Sequence, residues 1–190
     1  MDKDISYIEI CVANKHAKNS WRSEVYYLLS QADKEFFPPL SMRTSTSQQE
    51  LKTNKMLEDG VEKYFQVMWE QEILLATTCG KNKRLAGFMS YKNGYQVNLP
   101  DDSVKCWYVS TVVVAPEFRG QGITARFYAE LQKHAKIAKY PIVTRTWSTN
   151  HAHLTILEHA GFKLVLRLPD DRGKGIDTLY YKWGGKCLNT

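Results

Sequence analysis

Val112-Val113-Val114-Ala115-Pro116-Glu117-Phe118-Arg119-Gly120-Gln121-Gly122-Ile123-Thr124 is the stretch that says most about the fold. Its β-branched start predicts a buried strand that ends at Ala115-Pro116, and the apolar spacing after Ile123 predicts a helix. A helix N-terminus presents free backbone N–H groups and the positive end of the helix dipole. The glycines between strand and helix would let an anion approach that backbone closely. A plain tight connection is the alternative, but the added Arg119 favours a phosphate-binding loop.

The rest of the chain alternates between strand and helix patterns. Period-2 and β-branched runs predict seven strands, at Ile5–Val12, Ile73–Thr78, Leu85–Tyr91, Lys105–Val114, Pro141–Thr146, Phe162–Leu168 and Asp177–Trp183. Helical spacing predicts four helices: one around Trp21–Leu29 that Pro38-Pro39 ends, one over Ser47–Gln71 bent near Asp59-Gly60, one over Ile123–Ala138 and one over Asn150–Ala160. The order β-α-α-β-β-β-α-β-α-β-β predicts one α/β (α+β) domain over residues 1–190, with a single mixed, mostly antiparallel sheet and helices on both faces.

Composition excludes several classes of protein. Hydrophobic residues make up 43% and charged residues 24%, which is typical of a globular domain. No long apolar segment follows the charged start Met1-Asp2-Lys3-Asp4, so we expect a cytoplasmic protein without a membrane span. The four cysteines are widely spaced without a CxxC pair, which argues against a zinc cluster or a disulfide framework. Net charge is +6, but the basic residues do not cluster, so nucleic acid is not an expected partner.

Two motifs resemble those of the GNAT superfamily of N-acetyltransferases. The segment from Val114 to Ile123 resembles motif A, whose signature is Arg or Gln, two residues, Gly, one residue, then Gly or Ala. Arg119 and Gly122 match this signature, while Thr124 departs from it at the last small position. Asn150 is followed eleven residues later by Gly161-Phe162, which resembles motif B. The element order also resembles the family's, so the resemblance covers essentially the whole chain.

The resemblance implies a GNAT-like acyl-CoA N-acyltransferase fold and an enzyme that uses acetyl-CoA as acyl donor. The fourth and fifth strands would separate, with the pantetheine arm between them hydrogen-bonded by backbone groups of Val112 and Val114. The acceptor would be a primary amine of a small molecule, which attacks directly in a ternary complex. The cofactor-binding residues implied are Val112, Val113, Val114, Arg119, Gly120, Gln121, Gly122, Ile123, Thr124 and Asn150. Asn150 could equally be an N-cap residue.

The proton-transfer residues cannot be assigned from the resemblance. The fourth strand contains no Glu, and Leu157 stands where many members of the family carry a Tyr that protonates the leaving thiolate. Tyr180 or Tyr181 could supply that proton instead. His151 and His153 lie two residues apart on a predicted helix, so we expect exposed or capping histidines and no metal site.

The acceptor side is open to several interpretations. Phe36–Arg43 is an aromatic, proline-rich connection that would edge the acceptor site, either as a hydrophobic clamp or by ordinary packing. Arg43, Arg145 and Trp147 could bind an acidic or aromatic acceptor.

A protein or peptide N-acetyltransferase, or a non-catalytic acyl-CoA-binding domain, is the alternative function, and a homodimer is compatible with the family. Arg172-Gly173-Lys174-Gly175-Ile176-Asp177 repeats the motif A letters, but it lies between two strands and is predicted to be a hairpin connection.

Overall fold

A computed structural model describes residues 7–43, 45–47, 60–100 and 102–184 of the chain. Within these ranges the strands are β1 (Ile8–Val12), β2 (Glu72–Thr78), β3 (Leu85–Leu99), β4 (Asp102–Val114), β5 (Ile142–Trp147), β6 (Lys163–Leu168) and β7 (Thr178–Trp183). The α-helices are α1 (Lys15–Ser20), α2 (Arg22–Ala32), α3 (Gly60–Trp69), α4 (Ile123–Ala138) and α5 (His151–His159). The strands form one sheet in the order β1-β2-β3-β4-β5-β7-β6, which confirms the predicted mixed α/β class.

The sheet has one parallel pair, and that pair separates. The other neighbouring strands of the sheet are antiparallel, whereas β4 and β5 run in the same direction. They pair only where Trp107–Val109 faces Ile142–Thr144. Beyond these residues β4 continues to Val114 and β5 to Trp147, so a gap opens at their carboxyl ends. The sequence resemblance implied such a separation at this place.

Helix α4 begins and ends where local chemistry requires it. Gly122 precedes it in the left-handed conformation, with φ 72°, and Lys139 ends it in the same region. The fixed ring of Pro141 then prevents the helix from continuing. The apolar face of α4 is buried in the main core, through side chains at helical spacing: Ile123, Phe127, Leu131 and Ala135. A smaller cluster, which includes Cys106 and Tyr108, lies on the other face of β4.

The main differences from the predicted elements lie in β3 and in the first helix. Strand β3 extends to Leu99 rather than Tyr91, because its pairing with β4 continues past two irregularities in register. The first predicted helix is divided at Trp21 into α1 and α2. Helix α2 ends at Ala32, before Pro38-Pro39, and a 3-10 turn over Asp33–Glu35 follows. Here the Asp33 carboxylate accepts hydrogen bonds from the Ser41 N–H and hydroxyl, at 2.7 and 2.9 Å, which folds the chain back.

Some predicted features lie outside the described residues. Helix α3 confirms the later part of the predicted Ser47–Gln71 helix, while residues 48–59 are outside the described ranges, as are Ile5 and Cys187. Cys11 and Cys79 are exposed and Cys106 is buried, each as a free thiol. Among the helices that the structure describes, none has the length and apolar character needed to cross a membrane.

Candidate active site

A cleft of about 530 Å³ lies in the gap between β4 and β5. Its walls come from β4 (Val109–Val114), from the loop and helix start at Phe118–Thr124, and from β5 (Thr144–Trp147). The start of α5 closes a third side, and the end of α2 with the connection after it closes a fourth. Of the cofactor-binding residues predicted from sequence, the cleft brings together Val112, Val113, Val114, Arg119, Gly120, Gly122, Ile123, Thr124 and Asn150. Gln121 is exposed and does not line it.

The loop before α4 has the geometry of an anion site. Gly120 and Gly122 both have positive φ, 77° and 72°, which L side chains rarely adopt. A Cβ placed on either glycine would meet no protein atom within 4 Å, so open space lies before the backbone. The first N–H groups of α4 have no acceptor within the helix and carry the positive end of its dipole. The loop therefore leaves room for an anion in front of these N–H groups, and the phosphate-binding role stays a prediction.

The edge of β4 presents backbone groups to the cleft. A Cβ on Gly87 would lie 2.6 Å from the Val113 carbonyl oxygen, so that carbonyl faces β3. The Val114 carbonyl points the other way, because it accepts a hydrogen bond from Arg119 Nε at 3.1 Å. Successive residues of a strand alternate in this direction, so Val112 and Val114 turn their N–H and C=O groups toward the gap. Val113 lines the cleft but directs its backbone into the sheet.

Arg119, in the loop before α4, is held by a carboxylate. Its Nη2 donates to both carboxylate oxygens of Glu35, each at 2.9 Å. Glu35 ends the 3-10 turn after α2, so this pair ties the loop before α4 to the wall that follows α2. Among the cleft-lining residues that the structure describes, Glu35 carries the sole carboxylate.

Asn150 caps α5. Its Oδ1 accepts a hydrogen bond from the His153 N–H at 3.3 Å. The side chain also lines the cleft, and the cap uses only its oxygen. The two roles considered for Asn150 are therefore compatible in this geometry.

His153 was expected to be exposed or capping, and for this residue the expectation is wrong. Its Nε2 lies 2.8 Å from the Tyr128 hydroxyl, and the two rings stack at 5.8 Å between centroids. Burial lowers the pKa of His153 to about 4, so the ring is neutral at pH 7. His151, two residues earlier, is exposed as expected.

The two tyrosines considered as proton donors do not line the cleft. Tyr180 belongs to the small cluster, where its hydroxyl accepts from Arg145 Nη1 at 3.4 Å, and the Tyr181 hydroxyl donates to Glu158 at 3.3 Å. Leu157, at the position where many members of the family carry a Tyr, is fully buried in the main core. The hypothesis that Tyr180 or Tyr181 protonates a leaving group therefore finds no support in their positions.

The far end of the cleft is aromatic and cationic. The rings of Phe36 and Trp147 lie 6.3 Å apart between centroids. Arg43, Arg145 and Arg172 line the same end. Two of these arginines and both rings belong to segments that the sequence associated with the acceptor.

Arg172 was missed from sequence, although its segment was placed correctly. The β6–β7 connection is an antiparallel hairpin connection with no helix after it, as predicted. Arg172 nevertheless turns inward, donating to the Phe37 carbonyl and, at 2.9 Å, to Thr178 Oγ1. Phe37 is 135 residues away in the chain, so no local pattern could have indicated this contact.

Comparison with known proteins identifies the family. Residues 26–162 match the model of the acetyltransferase (GNAT) family. No curated protein gave a significant match to the sequence.

Solved structures share the fold at low sequence identity. The yncA protein of Salmonella typhimurium, solved with its cofactor acetyl-CoA, has 13% identity and a TM-score of 0.63, and the match covers 96% of both chains. An aminoglycoside 6'-acetyltransferase type Ii has 17% identity and a TM-score of 0.62, over 93% of this chain and 96% of the other. A ribosomal-protein-alanine N-acetyltransferase from Brucella melitensis has 16% identity and a TM-score of 0.61, over 93% of this chain and 99% of the other. The family match runs from α2 through the phosphate loop to the end of α5 and covers most of the sequence, so the chain belongs to the GNAT family of acetyltransferases.

Proposed function

We propose that this chain is an acetyl-CoA-dependent N-acetyltransferase that acetylates a primary amine of a small molecule by direct attack in a ternary complex. The observation that carries the proposal is the separation of β4 from β5 beside the N-terminus of α4. One continuous cleft then joins the predicted phosphate-binding loop to an aromatic, cationic far end. We call this far end the chamber; it is lined by Phe36, Arg43, Arg145, Trp147 and Arg172.

The donor half of the cleft suits acetyl-CoA. Backbone N–H groups from Gly120 to Thr124 would hold the pyrophosphate. The pantetheine arm would lie along β4 in the place of a neighbouring strand. Its amides would form hydrogen bonds with the backbone groups of Val112 and Val114. A backbone N–H aimed at the thioester carbonyl would stabilise the oxyanion that forms on attack. The yncA structure, which has the same fold, contains acetyl-CoA and supports this donor.

The acceptor must lose a proton before it attacks. An alkylamine has a pKa of about 10.4 and is protonated at pH 7. The cationic side chains Arg43, Arg145 and Arg172 disfavour another positive charge nearby, so they would lower the pKa of a bound ammonium group. The departing thiol has an ordinary pKa of about 8.5 and leaves without a strong acid. We therefore assign no catalytic base or acid to this chain.

A contact between two segments of the acceptor end favours a small molecule over a protein. The hydrogen bond from Arg172 to Phe37 joins the β6–β7 connection to the segment after α2, next to the cleft-lining residue Phe36. Gly173 lies against the Phe37 ring: a Cβ added at Gly173 would be 3.8 Å from the nearest ring carbon. A protein N-terminus or lysine would need an open groove. The fold is common to enzymes of both acceptor classes, small molecule and protein, since the similar structures include an aminoglycoside acetyltransferase and a ribosomal-protein-alanine acetyltransferase.

A thiol-release assay tests the proposal. The protein is incubated with acetyl-CoA and a panel of polyamines, amino acids, aminoglycosides and peptides. Turnover of a small amine supports the proposed function, and turnover of peptides alone supports the protein N-acetyltransferase. Binding of coenzyme A by calorimetry without any turnover would indicate a non-catalytic acyl-CoA-binding domain. Absence of coenzyme A binding would overturn the donor assignment itself.

Two structural expectations stand as proposals beside the function. We propose a single domain over residues 1–190, since one sheet contains strands from Ile8 to Trp183, and limited proteolysis tests it. A homodimer remains a proposal that light scattering tests.

A further inference from the structure

Two arginines are buried at the acceptor end of the cleft. Arg43 is 5% exposed and Arg172 is 6% exposed, and both line the chamber. Taking a guanidinium out of water costs several kcal/mol unless an opposite charge or strong hydrogen bonds offset it. Buried arginines are therefore normally paired with a carboxylate.

The partners of these arginines are neutral. Arg43 Nε and Nη2 donate to the Pro38 carbonyl at 3.1 and 2.9 Å. Arg172 donates to the Phe37 carbonyl and to Thr178 Oγ1. Asp171 forms no direct ion pair with Arg172; its Oδ2 accepts from the Thr178 hydroxyl at 2.6 Å, and its charge offsets only part of the lowering of the Arg172 pKa by burial and by the other arginines. Across the described ranges, no carboxylate forms an ion pair with either guanidinium.

Each guanidinium lies over an aromatic ring of the chamber. Arg43 lies over Phe36 and Arg172 over Trp147, each 5.4 Å from the ring centroid. The two rings are tilted at 51° to each other, with 6.3 Å between centroids. The chamber is thus bounded by two arginine–aromatic pairs, and each guanidinium has five N–H donors, of which the hydrogen bonds given above use two.

The charges of this end repel one another. Burial lowers the pKa of Arg43, and burial followed by repulsion from Arg43 and Arg145 lowers the pKa of Arg172 to about 9. A bound anion would relieve this repulsion and supply a counter-charge that no carboxylate of the described residues supplies by an ion pair. Arginine suits the task, since its planar fork matches the oxygens of a carboxylate or phosphonate.

We propose that the acceptor amine also carries an oxyanion, a carboxylate or a phosphonate, and that Arg43 and Arg172 bind it. The inference rests on the proposed N-acetyltransferase function. Amino acids and aminoalkylphosphonates have this chemistry, whereas polyamines and aminoglycosides do not. The arginines would hold the anion while the amine points toward the gap between β4 and β5.

Matched pairs of acceptors test the inference. L-amino acids are compared with their amides, and aminoalkylphosphonates with the corresponding alkylamines, at constant ionic strength. Charge-assisted hydrogen bonds predict a kcat/KM about 10- to 100-fold higher for the oxyanion member of a pair. The acid that lacks the amine should inhibit the wild type competitively against the amine. The class with the higher kcat/KM, carboxylate or phosphonate, identifies the anionic group of the acceptor.

Arginine variants separate ligand binding from structural bracing. Arg43→Gln and Arg172→Gln should raise KM for the oxyanion acceptor more than they lower kcat, and should lower kcat/KM at least about tenfold more for the oxyanion member of a pair than for the neutral member. Arg172→Lys should recover part of the loss. Arg22→Gln is a control for the loss of an arginine–aromatic contact, because Arg22 lies 4.9 Å from the Phe65 centroid and 5.2 Å from the Trp69 centroid but is exposed and outside the cleft.

Each outcome decides the inference. Equal kcat/KM for both members of every pair, within about threefold, overturns it while the proposed function stands. Equal loss for both members in the arginine variants assigns these residues a bracing role and also overturns it. Absence of any turnover contradicts the proposed function, and the inference is then decided by thermal shift with coenzyme A present. In that measurement oxyanion amines must stabilise the wild type, but not Arg172→Gln, more than neutral amines do.

Discussion

Glu35 accepts two hydrogen bonds from Arg119, the residue that opens the phosphate loop. Both distances are 2.9 Å, and the two side chains are about half exposed, at 52% and 45%. A carboxylate therefore lies beside the place where we propose that the pyrophosphate of acetyl-CoA binds. Like charges repel, so Glu35 would weaken the binding of a pyrophosphate at the proposed position, which Arg119 would attract.

Glu35→Gln should tighten the binding of coenzyme A about 2- to 5-fold at low salt, the range expected for one exposed charge interaction. The effect should shrink at 0.5 M NaCl, because added salt shortens the electrostatic screening length, from about 10 Å at 0.1 M to about 3 Å at 1 M. Calorimetry at both salt concentrations measures it. Glu24→Gln, an exposed change of the same charge on α2, is the control and should leave the affinity unchanged. Weaker binding by Glu35→Gln at low salt would contradict the proposed position of the pyrophosphate.

Gly122→Val should reduce the affinity for coenzyme A by at least about tenfold, because a branched side chain would fill the space before the α4 N-terminus. The substitution also forces a side chain into positive φ, which costs about 1–2 kcal/mol of stability. Gly175→Val is the matched control, since Gly175 has φ 78° and open space around its Cβ position but does not line the cleft. Both variants should lose similar stability in urea, while only Gly122→Val loses coenzyme A binding. Equal affinity of the two variants would argue against this loop as the phosphate site.

His153 should make the protein sensitive to acid. Its pKa is about 4 in the folded protein and about 6.5 in the unfolded chain. Between these values the unfolded state binds more protons than the native state, so stability is full above pH 6.5 and falls as the pH drops toward 4. The loss from this one group is at most about 3 kcal/mol.

His153→Gln should flatten this part of the stability profile, measured by urea unfolding from pH 7 to 4. The control is His151→Gln, because His151 is exposed on the same helix turn. A wild-type slope in His153→Gln, or a flattened slope in His151→Gln, would refute the assignment.

Tyr64→Phe should lower the free energy of unfolding by about 1–3 kcal/mol. The Tyr64 hydroxyl lies 2.8 Å from Thr111 Oγ1, and both residues are buried. Removing the hydroxyl leaves a buried polar group on β4 without this partner. Tyr27→Phe removes an exposed hydroxyl that accepts a hydrogen bond from Gln31, and should change stability by less than about 0.5 kcal/mol. Equal changes in the free energy of unfolding for the two variants would show that the buried Tyr64 hydroxyl contributes no more stability than an exposed one.

Local patterns predicted most of the fold, including the strand, loop and helix that we propose as the donor half of the site. The strand, loop and helix from Val112 to Thr124 occur as predicted, because β-branched runs, glycines and helical spacing act over a few residues. The Asn150 cap is equally local. The extension of β3 to Leu99 was missed, since it depends on pairing with β4 rather than on its own alternation.

The acceptor half was decided by contacts between distant segments. Sequence singled out Arg43, Arg145 and Trp147 without a reason to bring them together, and it treated Arg172 as part of a hairpin connection. Only the packing of the β6–β7 connection against Phe37 places Arg172 in the chamber. Propensity and spacing describe how a segment folds and which face it buries. The charge and shape of this chamber arise where four segments far apart in the chain meet, and that meeting is a property of the tertiary structure.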